Sequence, residues 1–231
     1  MKKYFLGKER ESTKEYIKKI EAESKQAHYV EILGKRFIIL PSVFSPKYFR
    51  DPEFFAQELP IVPGETFLEI GCGSGIISIF AVLKGASHVV AIDINPQAVK
   101  NTRQNAATHH IQDRITIMLG NVFSPLKEEK FDTIFWNTPW GLVKENNLSP
   151  MEAALWDTEY QATTRFITEA KKHLTENGRV LIGFSSTIGD INYLQEILKA
   201  HKYSVTIVKE MDSRSIDFAA KFEIIEARPL G

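Results

Sequence analysis

Residues Thr66–Gly75, TFLEIGCGSG, decide how this chain is read. A short run of mostly apolar residues breaks into glycine at alternate positions, Gly71, Gly73 and Gly75, and then enters the apolar segment IISIFAVLKG. A strand that ends this way brings bare backbone against a ligand. Glycine takes positive φ without steric cost, and the first turn of a helix offers unpaired N–H donors. The third glycine comes one residue earlier than in the dinucleotide fingerprint G-x-G-x-x-G, and no Lys-Ser/Thr pair of a triphosphate loop follows. Glu69 lies two positions before the first glycine.

Outward from this stretch the pattern alternates. Strands are expected at 66–70, 88–92, 114–119, 131–136 and 179–184. Helices are expected at 75–84, from Pro96 to about His109, at about 154–175 closed by Asn177-Gly178, and at 189–200. Gly85 stops the first helix, and Asn95 caps the second with Pro96 at its first position. The last runs, YSVTIVKE and FAAKFEIIEA, have no helix between them and should pair antiparallel. The fold class is therefore α/β: a doubly wound, seven-stranded, mostly parallel sheet with an antiparallel C-terminal hairpin. Ahead of it, residues 1–40 read as a small extension. It comprises a helix over 12–27 and a hairpin, HYVEIL and RFIILP, turning at Gly34-Lys35. It is too small to fold alone and by position could lie over the ligand cleft. Residues 41–231 form the main domain, with a short helix at about 52–59 and an aromatic cluster of Phe44, Tyr48, Phe49, Phe54 and Phe55.

The chain has 231 residues, 43% apolar, with 29 basic and 29 acidic side chains, so no global field draws in nucleic acid or membrane. Residues 1–36 carry ten Lys or Arg against six Glu, a weakly basic solvated face. The single cysteine, Cys72, excludes an internal disulfide and suits a reducing cytosol. No apolar run reaches the length of a membrane span, and the six histidines lack metal-ligand spacing.

In open α/β sheets ligands sit at the carboxyl ends of the strands. Four strand ends carry notable residues: Glu69–Gly75, Asp93, Asn121 and Asn137. A carboxylate at Asp93 can accept two hydrogen bonds from a ribose diol, although it could also cap the next helix. Glycines 71, 73 and 75 with Glu69 and Asp93 resemble motif I and its partner acid in the class I S-adenosylmethionine-dependent methyltransferases. The resemblance implies S-adenosylmethionine as cofactor and S-adenosylhomocysteine as product, held by Glu69, Gly71, Cys72, Gly73, Gly75, Asp93, Ile94, Asn121, Val122 and Asn137. Glu69 would orient the loop or meet the cofactor's amino group through water. Asn121, where relatives often carry an acid, would face the adenine amino group, and Val122 would offer its N–H.

WNTPWG, residues 136–141, resembles the (N/D)-P-P-(Y/F/W) motif of methyltransferases acting on a nitrogen conjugated to a planar system. The catalytic set implied is Asn137, Thr138, Pro139 and Trp140. The Asn137 side chain and the Thr138 carbonyl would accept from the nitrogen's hydrogens, and Trp140 would stack on the planar group. Thr138 replaces the usual proline and removes the stiffness of two prolines in a row. FSP at 44–46 resembles the lead-in of the same group, and the whole is similar to the release-factor glutamine and small ribosomal RNA methyltransferase branch. A macromolecular acceptor, protein or RNA, is implied. A small-molecule methyltransferase and a non-catalytic cofactor-binding partner subunit stay open as alternatives, as does the oligomeric state.

Overall fold

The computed structural model describes residues 2–4, 14–15, 17–20, 22, 25–48, 50–214 and 219–231. The helix expected over 12–27 lies partly outside them. Residues 14, 15, 17–20 and 22 are helical, with Ile17 and Ile20 buried. Phe49 is also outside the described residues.

One seven-stranded sheet organises the chain. Its strands are β3 (Thr66–Ile70), β4 (His88–Asp93), β5 (Ile115–Leu119), β6 (Phe131–Asn137), β9 (Leu174–Phe184), β10 (Tyr203–Arg214) and β11 (Ala219–Pro229), in the order β10-β11-β9-β6-β3-β4-β5. β3, β4, β5, β6 and β9 run parallel, and β11 pairs antiparallel with both β9 and β10. The first strand of the sheet in the chain, β3, is flanked by β4 and β6, so the sheet grows from it in both directions. That order makes a switch point at its carboxyl end, beside the glycine turn.

β3 is buried from its second residue on, and α2 (Ile76–Leu83) buries seven of its eight residues, which is why its sequence shows no polar face. Gly85, at φ +106°, ends that helix as read from sequence. α3 (Pro96–Thr108) starts as expected, with the Asn95 side chain accepting from the Gln97 N–H at 2.9 Å.

The extension's hairpin pairs β1 (His28–Ile32) with β2 (Lys35–Ile39) across Leu33-Gly34, both at positive φ, the combination a tight two-residue turn requires. Its free edge meets a helix. Asn101 and Asn105 are one turn apart on α3 and fully buried, and their Oδ1 atoms accept from the N–H groups of Leu40 (2.8 Å) and Ile38 (2.9 Å). Their Nδ2 groups donate back to the Ile38 carbonyl at 2.7 and 2.9 Å, and Asn105 also donates to the Ser74 carbonyl at 2.8 Å. Two side-chain amides thus stand in for a third strand and connect the hairpin to the glycine turn.

Two expectations are corrected. The helix expected at 154–175 is divided. α4 (Pro150–Ala153) precedes a short strand, β8 (Trp156–Thr158), which pairs parallel with β7 (Gly141–Val143), and the helix proper, α5, spans Gln161–Ala170. The break follows from Glu159 and Tyr160, both at positive φ, and from Asp157, whose carboxylate accepts from the N–H groups of Ala162 and Thr163. Asn177-Gly178 does not close a helix. It lies inside β9, where a side chain at Gly178 would meet the Phe131 carbonyl at 2.9 Å. Ahead of the first strand of the sheet, α1 (Asp51–Glu58) places Phe55 against Phe135 of the middle strand β6, ring centroids 5.7 Å apart.

Replacing Asn105 with Ala takes the partner from the Ile38 N–H and the Ser74 carbonyl, while the Ile38 carbonyl keeps its bond from Asn101, and each stranded group costs about 1–3 kcal/mol. The midpoint of urea unfolding is expected to fall accordingly, while Asn121→Ala, at an exposed position, leaves it nearly unchanged. Equal midpoints for the two variants would show that the hairpin does not depend on this amide.

Candidate active site

Gly71, Gly73 and Gly75 all sit at positive φ, +68°, +53° and +80°. The turn is closed by Gly75 N–H donating to the Cys72 carbonyl (2.7 Å). It is tied to β4 by the N–H groups of Gly71 and Cys72 on the Ile92 carbonyl, at 2.8 and 3.1 Å. A Cβ at Gly75 would lie 2.6 Å from Thr102 Cγ2, and one at Gly71 would lie 3.0 Å from Trp136 Nε1. Those two glycines serve packing inside the protein. A Cβ at Gly73 would meet nothing within 4 Å, so this glycine alone opens onto free space. The Thr102 hydroxyl braces the turn, 3.1 Å from the Gly73 carbonyl and 3.4 Å from the Cys72 sulfur. Burial pushes the Cys72 thiol far up, which removes it as a nucleophile.

Two carboxylates flank the turn. Glu69 is buried, and its Oε2 accepts from the Ser78 N–H at 2.8 Å and from the Ser78 hydroxyl. Ser78 is the third residue of α2, so a strand carboxylate caps a helix whose own cap position, Gly75, has no side chain. Burial raises Glu69 to about 8. The bonds from Ser78 oppose the shift, and Asp93 adds to it. Asp93, at the end of β4, accepts from the Gly73 N–H through Oδ2 and from the Asn95 N–H through Oδ1, both at 2.8 Å. Burial raises its pKa, opposed by these N–H groups and that of Ile94. A carboxylate offers about four lone-pair sites, so acceptor capacity remains for a hydroxyl group.

Next to Asp93, Ile94 is 67% exposed and Leu119, its neighbour at the end of β5, is 55% exposed. Two large apolar side chains uncovered at a strand end suit the face of a flat ring. Leu119 was not singled out from the sequence, though its place at a strand end was the available signal. Asn121 is exposed, and the following Val122 takes φ +54°, a conformation that a β-branched residue rarely adopts. Such strain collects where the backbone is held for a ligand. An open glycine, a carboxylate with spare acceptors and an apolar ledge together fit adenosine with a free ribose diol.

The second half of the site lies at the end of β6, which touches the turn through Trp136 on Gly71. Asn137 is half-buried. Its Nδ2 donates to Asp51 Oδ2 at 2.7 Å, and its Oδ1 accepts from the Trp140 indole N–H at 3.2 Å. A carboxylate on one side and an N–H on the other allow only one amide orientation. Thr138 is buried, and both its N–H and its hydroxyl reach the Gly183 carbonyl at 3.2 Å. Two hydrogen bonds, neither of which proline can make, hold the position where two prolines were expected to supply stiffness. Pro139 is buried. Trp140 is 3% exposed, its ring tilted against Phe222 with centroids 5.3 Å apart. The face expected to stack on an acceptor is therefore covered, and the indole serves Asn137 instead. Sequence reasoning missed Asp51, which is 2% exposed, and Gly183, where a Cβ would lie 2.7 Å from the Phe55 ring and 3.0 Å from Asn137 Oδ1.

A doubly wound sheet with a glycine turn, a carboxylate and a clamped amide at adjoining strand ends is the arrangement of an S-adenosylmethionine-dependent methyltransferase. The family model described as "Methyltransferase small domain" matches residues 34–210, and the chain belongs to that family. It is 29% identical over 195 residues to the release factor glutamine methyltransferase of Aquifex aeolicus, covering 78% of this chain and 67% of that protein. It is 32% identical over 165 residues to a putative protein N5-glutamine methyltransferase of Methanocaldococcus jannaschii, covering 70% and 81%. Among solved structures, a ribosomal protein L11 methylase from Lactobacillus delbrueckii subsp. bulgaricus shares the fold with a TM-score of 0.58 at 22% identity, covering 81% of this chain and 82% of that one. Among the described residues there is no group of side chains that could hold a metal ion, and no helix is long and apolar enough to cross a membrane.

The raised Glu69 carboxyl makes stability depend on pH. Between its ordinary value near 4.5 and about 8 the folded protein keeps a proton that the unfolded chain releases, so stability falls as pH rises through that window. Glu69→Gln keeps an acceptor for Ser78 and cannot ionise. Its melting temperature is expected to fall less than wild type between pH 5 and pH 8 and to be the higher of the two at pH 8. Parallel curves would contradict the raised carboxyl.

Proposed function

We propose that this methyltransferase acts on the planar amide nitrogen of a glutamine side chain in a protein. The observation that carries the reading is the single orientation of the Asn137 amide, at a strand end adjoining the glycine turn. An amide nitrogen has its lone pair delocalised and is a poor nucleophile. Acceptors fixed on both of its hydrogens favour pyramidal geometry and turn the lone pair toward an electrophile. Asn137 Oδ1 keeps one lone pair beyond the bond from Trp140, and the Thr138 carbonyl, held by its bonds to Gly183, is the second acceptor. S-adenosylmethionine, when bound, supplies an electrophilic methyl group. Gly73, in the turn shaped by Gly71 and Gly75, and Asp93 hold its adenosine, with Ile94 and Leu119 against the adenine and Asn121 and Val122 at the ring's edge. Glu69 acts on the turn alone. No strong base is needed, because the proton can leave to water after transfer, and positioning supplies most of the rate.

Both relatives named above are described as glutamine methyltransferases, which favours an amide over a base. The formal net charge of zero also favours protein, since a large RNA footprint needs many phosphate contacts. The buried Cys72 thiol fits a reducing, cytosolic setting.

Methyl-labelled S-adenosylmethionine incubated with a fractionated cell extract is the test. Label is expected in protein, released as N5-methylglutamine by exhaustive enzymatic digestion and as methylamine by acid hydrolysis; label in RNA or small molecules would overturn the reading. Asn137→Ala is expected to keep wild-type affinity for S-adenosylhomocysteine. It should lose transfer by about 100-fold or more, the scale for removing one preorganised hydrogen-bond partner of a reacting group.

A further inference from the structure

Asp51 has no role in either motif, yet it reaches the centre of the site. It is the first residue of α1, where an acidic side chain is ordinarily solvated and gains modestly from the helix dipole. Here it turns inward and is 2% exposed. It does not cap its own helix, since the cap position is Arg50 and no side-chain cap bond is present. Its Oδ2 accepts from Asn137 Nδ2 at 2.7 Å, while its Oδ1 is buried with no hydrogen-bond partner among the described residues. Burying a carboxylate and leaving one oxygen unpaired costs several kcal/mol in general, so local stability does not explain its presence.

Its effect on Asn137 does. An amide between two acceptors or two donors has no preferred flip. Asn137 has a carboxylate on one side and an indole N–H on the other, so its nitrogen faces Asp51 and its oxygen faces Trp140. A negative charge drawing on Nδ2–H also shifts amide electron density toward Oδ1, because linked hydrogen bonds polarise one another. That oxygen is the one assigned to the acceptor nitrogen. We propose that Asp51 is a positioning residue for methyl transfer: it fixes and polarises the Asn137 amide so that Oδ1 faces the nitrogen to be methylated. The inference rests on the reading of Asn137 given above.

The ionisation of Asp51 offers a direct readout. Burial raises it to about 7, opposed by the bond from Asn137 and by the Asp51 backbone; no charged group among the described residues contributes to the shift. At its own helix start Arg50 and Glu53 pair with each other at 3.3 Å on the surface, its partner on β6, Asn137, carries no charge, and neither does Gly183 of β9 beside Asn137. Above about pH 7 Asp51 holds Asn137 as a carboxylate. Below it the carboxyl is neutral and its pull on the amide weakens.

The experiment compares wild type, Asp51→Asn and Asn137→Ala in the labelled-transfer assay, using the protein fraction of a cell extract and saturating S-adenosylmethionine from pH 6 to pH 9. In parallel, the Asn137 side-chain amide resonances of nitrogen-15-labelled protein are followed over the same range, assigned by their absence in Asn137→Ala. Asp51→Asn is nearly isosteric and is expected to fold and to bind S-adenosylhomocysteine as wild type does. Its transfer rate is expected to fall about 10- to 100-fold, the scale for losing a residue that orients a ligand-contacting group. The fall should appear in kcat more than in KM. Wild-type rate should rise with pH through about 7 and the variant's should not. The Asn137 amide resonances should titrate in wild type and stay fixed in Asp51→Asn. Should Asn137→Ala abolish transfer while Asp51→Asn transfers at the wild-type rate, or should the resonances ignore both pH and the substitution, the role of Asp51 is overturned. Should Asn137→Ala transfer normally, it is the assignment of Asn137 that fails. If Asp51→Asn does not fold, the wild-type titration of the amide resonances alone decides: a midpoint near 7 supports the contact and a flat response refutes it.

Discussion

The site depends on how a turn of three left-handed glycines is held still. Such a segment loses more conformational freedom on folding than any other, so it stays in one shape only if its neighbours fix it. Two carboxylates do so from opposite sides. Glu69 binds the third residue of α2 and sets where the helix begins. Asp93 binds the Gly73 N–H and joins the turn to the end of β4. The order of strands in the sheet then determines what stands next to the turn: β4 with Ile94 on one side, β6 with Asn137 on the other.

Asp51, Glu69 and Asp93 are all buried, and in none of the three is a cation among the causes of the shifted pKa. Each is held by N–H or O–H donors, and burial dominates each shift. Carboxylates placed for stability alone are more often paired with a cation or left in solvent. A cluster raised by desolvation is the pattern expected where protein groups are arranged for a ligand. The glycine turn and the end of β6, the two halves of the proposed site, share this device: a carboxylate orients a backbone N–H in one and a side-chain amide in the other.

What the sequence disclosed was local. The alternation of strands and helices, the glycine turn, Asp93 at a strand end and Asn137 after the fourth parallel strand are all visible in windows of a few residues, because backbone period and turn chemistry act at that range. What it hid was long-range. Asp51 lies 86 residues from Asn137, and an acid beside a proline at a helix start looks like ordinary helix chemistry. Asn101 and Asn105 read as polar residues of a helix, and nothing local says that they face the edge of a hairpin. The division of the 154–175 segment turned on Tyr160 in a left-handed conformation, which no periodicity reveals. Trp140 carried the right residue type for stacking, but Phe222, from the far C-terminal strand, covers its ring.

The central claim is that the glycine turn and Asp93 together bind the adenosine part of S-adenosylmethionine. Calorimetric titration of wild type and Asp93→Ala with S-adenosylhomocysteine tests it most directly. Wild type is expected to bind one equivalent. The variant is expected to bind at least about tenfold more weakly, the loss of roughly one charge-assisted hydrogen bond. No binding by wild type, or equal affinity in the two proteins, would contradict the account.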